Sequence, residues 1–280
     1  MKFAVNAFIW TTEFDHRHFS LIPTIREHGF DGFEVPVFQP SKVPAAQIRK
    51  ALASNGLECT VCAVLPAGLS PISDDAAVRR KTREHLAACV KVTAELGATL
   101  VAGPVYAPVG YLPGRRRTDD EWKWALECFQ GLAPLLQQNS VVLAIEPLNR
   151  FETYFLNTAA DAAKLCDKIG SPHIGVLLDT FHANIEEKNV PDAFRHVGPR
   201  LKHVHACEND RGIPGTGHVD FAGIGAALRE ISYDGWVTIE SFGTAHKELA
   251  AAAAIWRDLA PTSESIAFEG IRFLKSVLAA

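Results

Sequence analysis

The sequence predicts one α/β domain, residues 1–280, closed into a (β/α)8 barrel. Eight short apolar segments rich in β-branched residues alternate with amphipathic, Ala- and Leu-rich segments of helical spacing. The alternation runs along the chain without a break in composition, as in a single α/β unit. Four consecutive later segments end in a carboxylate or an imidazole, at the strand ends where a parallel barrel collects its chemistry.

The strands are expected at Phe3–Phe8, Gly32–Val35, Glu58–Val64, Thr99–Gly103, Val141–Glu146, Ile174–Asp179, Leu201–Ala206 and Trp236–Glu240. The apolar N-terminus soon reaches Glu13, Asp15 and several histidines, with no long apolar core or small-residue cleavage site, so it reads as a first strand rather than a signal peptide. Between strands, Ala76–Leu96 can gather Val78, Leu86, Val90, Val92 and Leu96 on one helix face. Gly29, Gly56, Gly97 and Gly170 each precede a strand, as helix-terminating residues do. An open dinucleotide-binding sheet would need a G-x-G-x-x-G turn after an early strand, and none is present. The Gly-rich stretch Pro214–Asp220 reads as a tight turn. Pro104–Thr118 is long for a βα connection and is expected as a partial lid, with Arg115–Arg117 in a solvated turn. His246 to Ala280 is read as two helices separated at Ala260–Pro261, additional length that packs on the barrel or on another subunit.

Composition narrows the function. With 48% hydrophobic and 21% charged residues, the 280-residue chain is ordinary globular material. A net charge of −4 gives no general attraction for nucleic acid. No apolar run is long enough to span a bilayer. Six cysteines in a chain of this length fit reduced thiols in a cytoplasm, which is the expected location. Cys59 and Cys62 lie three apart on a strand and face opposite sides, so they neither chelate one ion nor bridge. Cys62 can then line a pocket.

The chemistry converges on four strand ends. Glu146 ends the fifth strand, Asp179 the sixth, His205 the seventh and Glu240 the eighth. Three carboxylates and an imidazole this close repel one another unless a divalent cation lies among them. A donor set of three oxygens and one nitrogen, without thiolate, favours Mn²⁺, Mg²⁺ or Co²⁺ over structural Zn²⁺. His203 shares a face with His205 but lies deeper, as an outer partner of the site or a hydrogen-bonded core histidine. Glu152, His182 and Arg211 follow these strands in loops, one step outside the four. An acid, an imidazole and a guanidinium can bind vicinal hydroxyls directionally. On this reading Arg211→Ala touches no metal ligand. Phe8, Trp10 and Cys62, at the first and third strand ends, are expected to form an apolar wall.

Four stretches carry a resemblance: E-P-L-N-R-F-E, L-D-T-F-H, H-V-H-A-C-E-N-D-R-G-I-P-G-T-G-H-V-D-F and Y-D-G-W-V-T-I-E-S-F. They resemble the xylose-isomerase-like TIM barrels, and among them the ketose 3-epimerases that act on D-tagatose, D-allulose (psicose) or L-ribulose. The resemblance spans the chain and is most specific in its second half; D-G-F-E at Asp31–Glu34 is common to the wider superfamily. It implies one divalent ion per subunit, Mn²⁺ foremost, on Glu146, Asp179, His205 and Glu240. It implies Glu146 and Glu240 as the acid/base pair and Glu152, His182 and Arg211 at the C1–C2 end of a free ketose. It implies a homodimer or homotetramer with no nucleic-acid or membrane partner. Inverting C3 requires a proton to leave one face and return on the other, adjacent to the C2 carbonyl. A cis-enediolate flanked by two carboxylates meets that requirement. Other isomerases, such as a hydroxypyruvate isomerase or an aldose–ketose isomerase, share the ring. So does a lyase resembling inosose dehydratase. A non-catalytic sugar-binding barrel would not need both carboxylates, and a DNA-repair endonuclease would want a His-rich multi-metal cluster and a basic surface.

Overall fold

The computed structural model describes residues 1–242, 251 and 253–278. Eight parallel strands close in chain order, β8 pairing back onto β1. They are β1 (Lys2–Asn6), β2 (Gly32–Val37), β3 (Glu58–Ala63), β4 (Leu100–Gly103), β5 (Val142–Ile145), β6 (Ile174–Asp179), β7 (Leu201–His205) and β8 (Trp236–Ile239). The first strand is shorter than expected. Asn6 accepts from the Phe8 amide and caps a 3-10 turn, Ala7–Ile9, so the chain leaves the sheet before Phe8.

The helices are α1 (Leu21–Glu27), α2 (Ala45–Ser54), α3 (Ala76–Glu95), α4 (Asp119–Gln138), α5 (Ala159–Ile169), α6 (Thr180–Glu186), α7 (Val190–Val197), α8 (Phe221–Glu230) and α9 (Ser263–Leu278). Local sequence fixes their ends. Thr118 and Glu121 form a reciprocal capping box on α4, the kind of cap whose loss costs roughly 1 kcal/mol. The expected terminators Gly29, Gly56, Gly97 and Gly170 all have positive φ. The first expected C-terminal helix falls partly outside the described residues, and residues 253–260 form turns and bends rather than helix. The second is α9, which buries Ile266, Ala267, Ile271 and Leu274 and takes the place of the eighth barrel helix rather than adding to the ring.

Two apolar regions hold the barrel. The larger fills the space between strands and helices, while a small inner cluster of Leu100, Ala102, Ala144 and Leu177 packs with Trp236. Gly32 is required beside that indole, because a Cβ there would lie 2.7 Å from the Trp236 ring. Registers Asn6↔Glu34 and Glu34↔Thr60 set three polar side chains at one level across β1, β2 and β3. All six cysteines are free thiols. No helix among the described residues is long and apolar enough to cross a membrane.

Candidate active site

Each site residue is delivered by a local device. Glu146 follows the last residue of β5, its amide bonded to the Gly103 carbonyl at the end of β4. Asn149 ties the next loop by donating to Glu152 and accepting from the Phe151 amide. Asp179 ends β6 and also caps α6, spending Oδ1 on the Phe181 amide and turning Oδ2 toward the mouth. One turn into α6, His182 accepts from the Asn149 amide through Nδ1. Arg211 has φ +67°, a left-handed conformation held from the outside. Its amide bonds the Glu208 carbonyl, while the buried Glu208 carboxylate accepts from the amides of Asn209, Gly215 and Val219. The Gly-rich turn is therefore the clasp of the loop that carries Arg211.

Glu146, Asp179, His205 and Glu240 are all buried, and each places a donor atom within 4.8 Å of the others. His205 Nδ1 lies 3.4 Å from Glu240 Oε1 and 3.9 Å from Glu146 Oε1. His182 Nε2 lies 3.7 Å from Glu146 Oε1 and 3.8 Å from Asp179 Oδ2. Arg211 corrects the expectation that it stands outside the ring. Its Nη1 is 2.8 Å from both Asp179 Oδ2 and Glu240 Oε2, and Nη2 is 3.1 Å from His182 Nε2. The guanidinium reaches this far because Phe181 and Phe242 sandwich it at 4.2 and 4.9 Å.

The donor set fits a divalent cation. Glu146 Oε1 and His205 Nδ1 face one another, buried, and neither has a hydrogen-bond partner. Buried polar atoms are costly when unpaired, and a cation between these two would answer both. The charges agree. Burial pushes the Glu146 carboxyl well above its ordinary range, and the Glu240 charge adds to it. Burial would also raise Glu240, but His205 and Arg211 outweigh it and hold that group at about 2. Burial would lower His205, yet the Glu240 and Glu34 carboxylates hold it well above its usual value. A proton on His205 answers the same negative field that a divalent cation would. His182 is lowered by burial to about 3 and stays neutral.

A cavity of about 680 Å³, counted out to its open mouth, lies above this cluster. Glu146, Glu152, His182, Arg211 and Glu240 line one side, and Phe8, Phe38, Cys62, Val64 and Pro104 the other. Of the expected apolar wall, Phe8 and Cys62 are present and Trp10 is not among the lining residues. After the 3-10 turn its indole packs on Phe33 and Phe268, with Nε1 on Glu264. Cys59 has no place in the lining, as the strand alternation predicts. Residues 104–118 contribute Pro104 and Val109 to the wall, and the Gly110 amide bonds the Glu152 carbonyl. The arginines there do more than face solvent. Arg115 pairs with Glu121, and Arg117 with Asp161 and the Phe155 carbonyl, tying the loop down.

Sequence reasoning missed Glu34, Phe38 and Phe242. Glu34 had a visible signal, a lone carboxylate inside the apolar run G-F-E-V-P-V. Its partners His203 and His205 lie 169 and 171 residues away, which no local pattern reveals.

A family model described as xylose isomerase-like TIM barrel matches residues 22–277. A probable ketose 3-epimerase of Synechocystis sp. is 38% identical over 275 residues, 98% of this chain and 96% of its own length. An L-ribulose 3-epimerase of Mesorhizobium japonicum is 34% identical, covering 92% of this chain and 88% of its own. The crystal structure of a D-allulose 3-epimerase from Methylomonas sp. in complex with D-allulose is similar with a TM-score of 0.93 at 28% identity, over 99% of this chain and 97% of that one.

Proposed function

The chain belongs to the xylose isomerase-like TIM barrel family, and from that premise we propose that it is an isomerase that epimerises free ketoses at C3. One observation carries the chemistry. Glu146 and Glu240 come from strands separated by two others, and both line the cavity while reaching the cluster of Asp179 and His205. Their environments push their carboxyls in opposite directions, the condition for one acid and one base at a single pH. Glu146, Asp179, His205 and Glu240 would hold a divalent ion, Mn²⁺ by donor preference with Co²⁺ or Mg²⁺ as alternatives. When bound, that ion supplies the Lewis acidity that makes a proton beside a carbonyl removable.

The chain's residues do the rest. One carboxylate takes the C3 proton, the substrate passes through a cis-enediolate, and the other carboxyl returns a proton on the opposite face. Neutral His182, with Glu152 and Arg211, orients the C1–C2 end through directional hydrogen bonds. The apolar side of the cavity excludes water and carries the remainder of the sugar. A free rather than phosphorylated ketose is supported by Arg115 and Arg117 being already committed to Glu121 and Asp161. A homodimer or homotetramer in the cytoplasm belongs to the same proposal, and mass photometry of the purified chain measures the assembly.

The test is a substrate panel. The chain is stripped with chelator, reloaded with Mn²⁺ or Co²⁺, and given five- and six-carbon ketoses and their terminal phosphates. Activity should vanish on stripping, return on reloading, favour free ketoses and yield C3 epimers. Full activity in a verified metal-free preparation, a clear preference for phosphates, or an aldose or dehydrated product would each contradict the reading.

A further inference from the structure

Glu34 is buried in the barrel below the proposed metal centre, and its carboxylate is saturated. Oε1 accepts from Asn6 Nδ2 at 2.9 Å and faces His205 Nε2 at 2.8 Å. Oε2 accepts from Thr60 at 2.9 Å and faces His203 Nε2 at 2.7 Å. A carboxylate only accepts, so both imidazoles carry their proton on Nε2. That leaves Nδ1 of each ring as the position for a further proton or a cation, and both Nδ1 atoms are buried without a hydrogen-bond partner. His205 Nδ1 is the one that faces Glu240 and Glu146.

We propose that Glu34 is a positioning residue for the metal centre: it fixes the tautomer and ring orientation of His205 so that Nδ1 is presented to the cation, with His203 bracing the other carboxylate oxygen. The inference rests on the metal reading above. A space-filling role does not account for Glu34. The barrel interior is filled elsewhere by Leu100, Ala102, Ala144 and Leu177, and buried ion pairs add little stability over apolar side chains of similar volume. Partners of a metal-binding histidine raise ligand basicity and hold the ring, and their loss typically costs about 10- to 100-fold in metal affinity.

Two substitutions separate positioning from filling. Leu at this position keeps volume but leaves His205 Nε2–H without an acceptor. Gln can keep its oxygen in the Oε1 place, because Asn6 is locked as a donor there by accepting the Phe8 amide. Its amide group would then face Thr60, whose hydroxyl can turn to accept, and His203, which changes tautomer. Mn²⁺ binding to the stripped, folded chains is measured by titration calorimetry, with folding checked by circular dichroism. The expected order is wild type, then E34Q, then E34L, with E34L weaker than wild type by about 10- to 100-fold. A wild-type chain that binds no Mn²⁺ overturns the metal reading and this proposal together. A wild-type chain that binds, with E34L as tight as E34Q, overturns this proposal alone. Should E34L fail to fold, the wild type loaded with diamagnetic Mg²⁺ decides by ¹⁵N NMR of the histidine rings. A proton on His205 Nε2 is the expected result, and a proton on Nδ1 overturns the proposal.

Discussion

At the ends of β1 to β4 the cavity wall is Phe8, Phe38, Cys62, Val64 and Pro104, whereas at the ends of β5 to β8 it includes Glu146, His182, Arg211 and Glu240. The same βα unit repeats around the ring, yet one half of the mouth is apolar and the other charged. The polar groups of the first half, Asn6, Glu34 and Thr60, lie deeper: Asn6 and Thr60 donate to Glu34, which faces the β7 histidines rather than the cavity. One half thus supplies proton transfer and charge, and the other supplies shape, dryness and a brace from below.

The largest expected effect breaks the charged half. Glu146→Gln and Glu240→Gln keep volume but remove the basic form, and epimerisation should fall by at least about 10²-fold in each. Both residues are also proposed ligands, so bound metal is assayed alongside rate. Either variant with near-normal turnover removes its residue from the proton-transfer role.

Arg211→Ala comes next. Its guanidinium is buried and bonded to Asp179 and Glu240, and removing one partner of a buried charge pair costs about 3–5 kcal/mol. The stripped variant should melt well below the stripped wild type. Mn²⁺ should recover much of the difference by replacing the lost positive charge, while ketose affinity stays weak. Differential scanning calorimetry with and without Mn²⁺ measures this. A variant whose melting temperature matches wild type in both states would show the guanidinium to be a bystander.

A third effect comes from protons. In the cation-free site Glu146 and His205 both titrate above their ordinary values of 4.5 and 6.5. For such groups the folded chain binds more protons than the unfolded one. Their contribution to stability is therefore present at low pH and is lost as pH rises past those values. Ligation must displace the same protons. Mn²⁺ affinity should rise with pH, and binding at neutral pH should release protons, read by calorimetry in buffers of different ionisation enthalpy. Binding without proton release would contradict the charge assignment.

The smallest effect sharpens the apolar half. Phe38→Ala trims a wall that touches substrate and transition state alike, so KM should rise by about tenfold or less with kcat nearly unchanged. A fall in kcat that exceeds the rise in KM would make the wall part of the chemistry.

The same contrast explains what could be read from the sequence. Strand ends at Glu146, Asp179, His205 and Glu240 were legible because each charge closes an apolar run, and βα repetition fixes where such ends meet. Trp10 was misplaced because a single capping side chain, Asn6, ends β1 early and turns the chain. Glu34 was legible only as an oddity, since its meaning depends on two histidines from the far side of the ring. Arg211 was recognised as a site residue but not as a neighbour of two carboxylates. Its reach comes from a left-handed backbone and a clasp around Glu208, both properties of the folded loop.

If Glu146 and Glu240 exchange the C3 proton of a ketose beside a divalent ion, solvent hydrogen must enter the product at C3. The direct measurement is to run the Mn²⁺-loaded chain with a free ketose in D₂O, quench early, and locate deuterium by NMR. The expected result is one deuterium per product molecule, at C3, in the C3 epimer, and no deuterium in ketose incubated with a variant lacking both carboxylates. Deuterium at C1, or an epimer formed without deuterium, would contradict it.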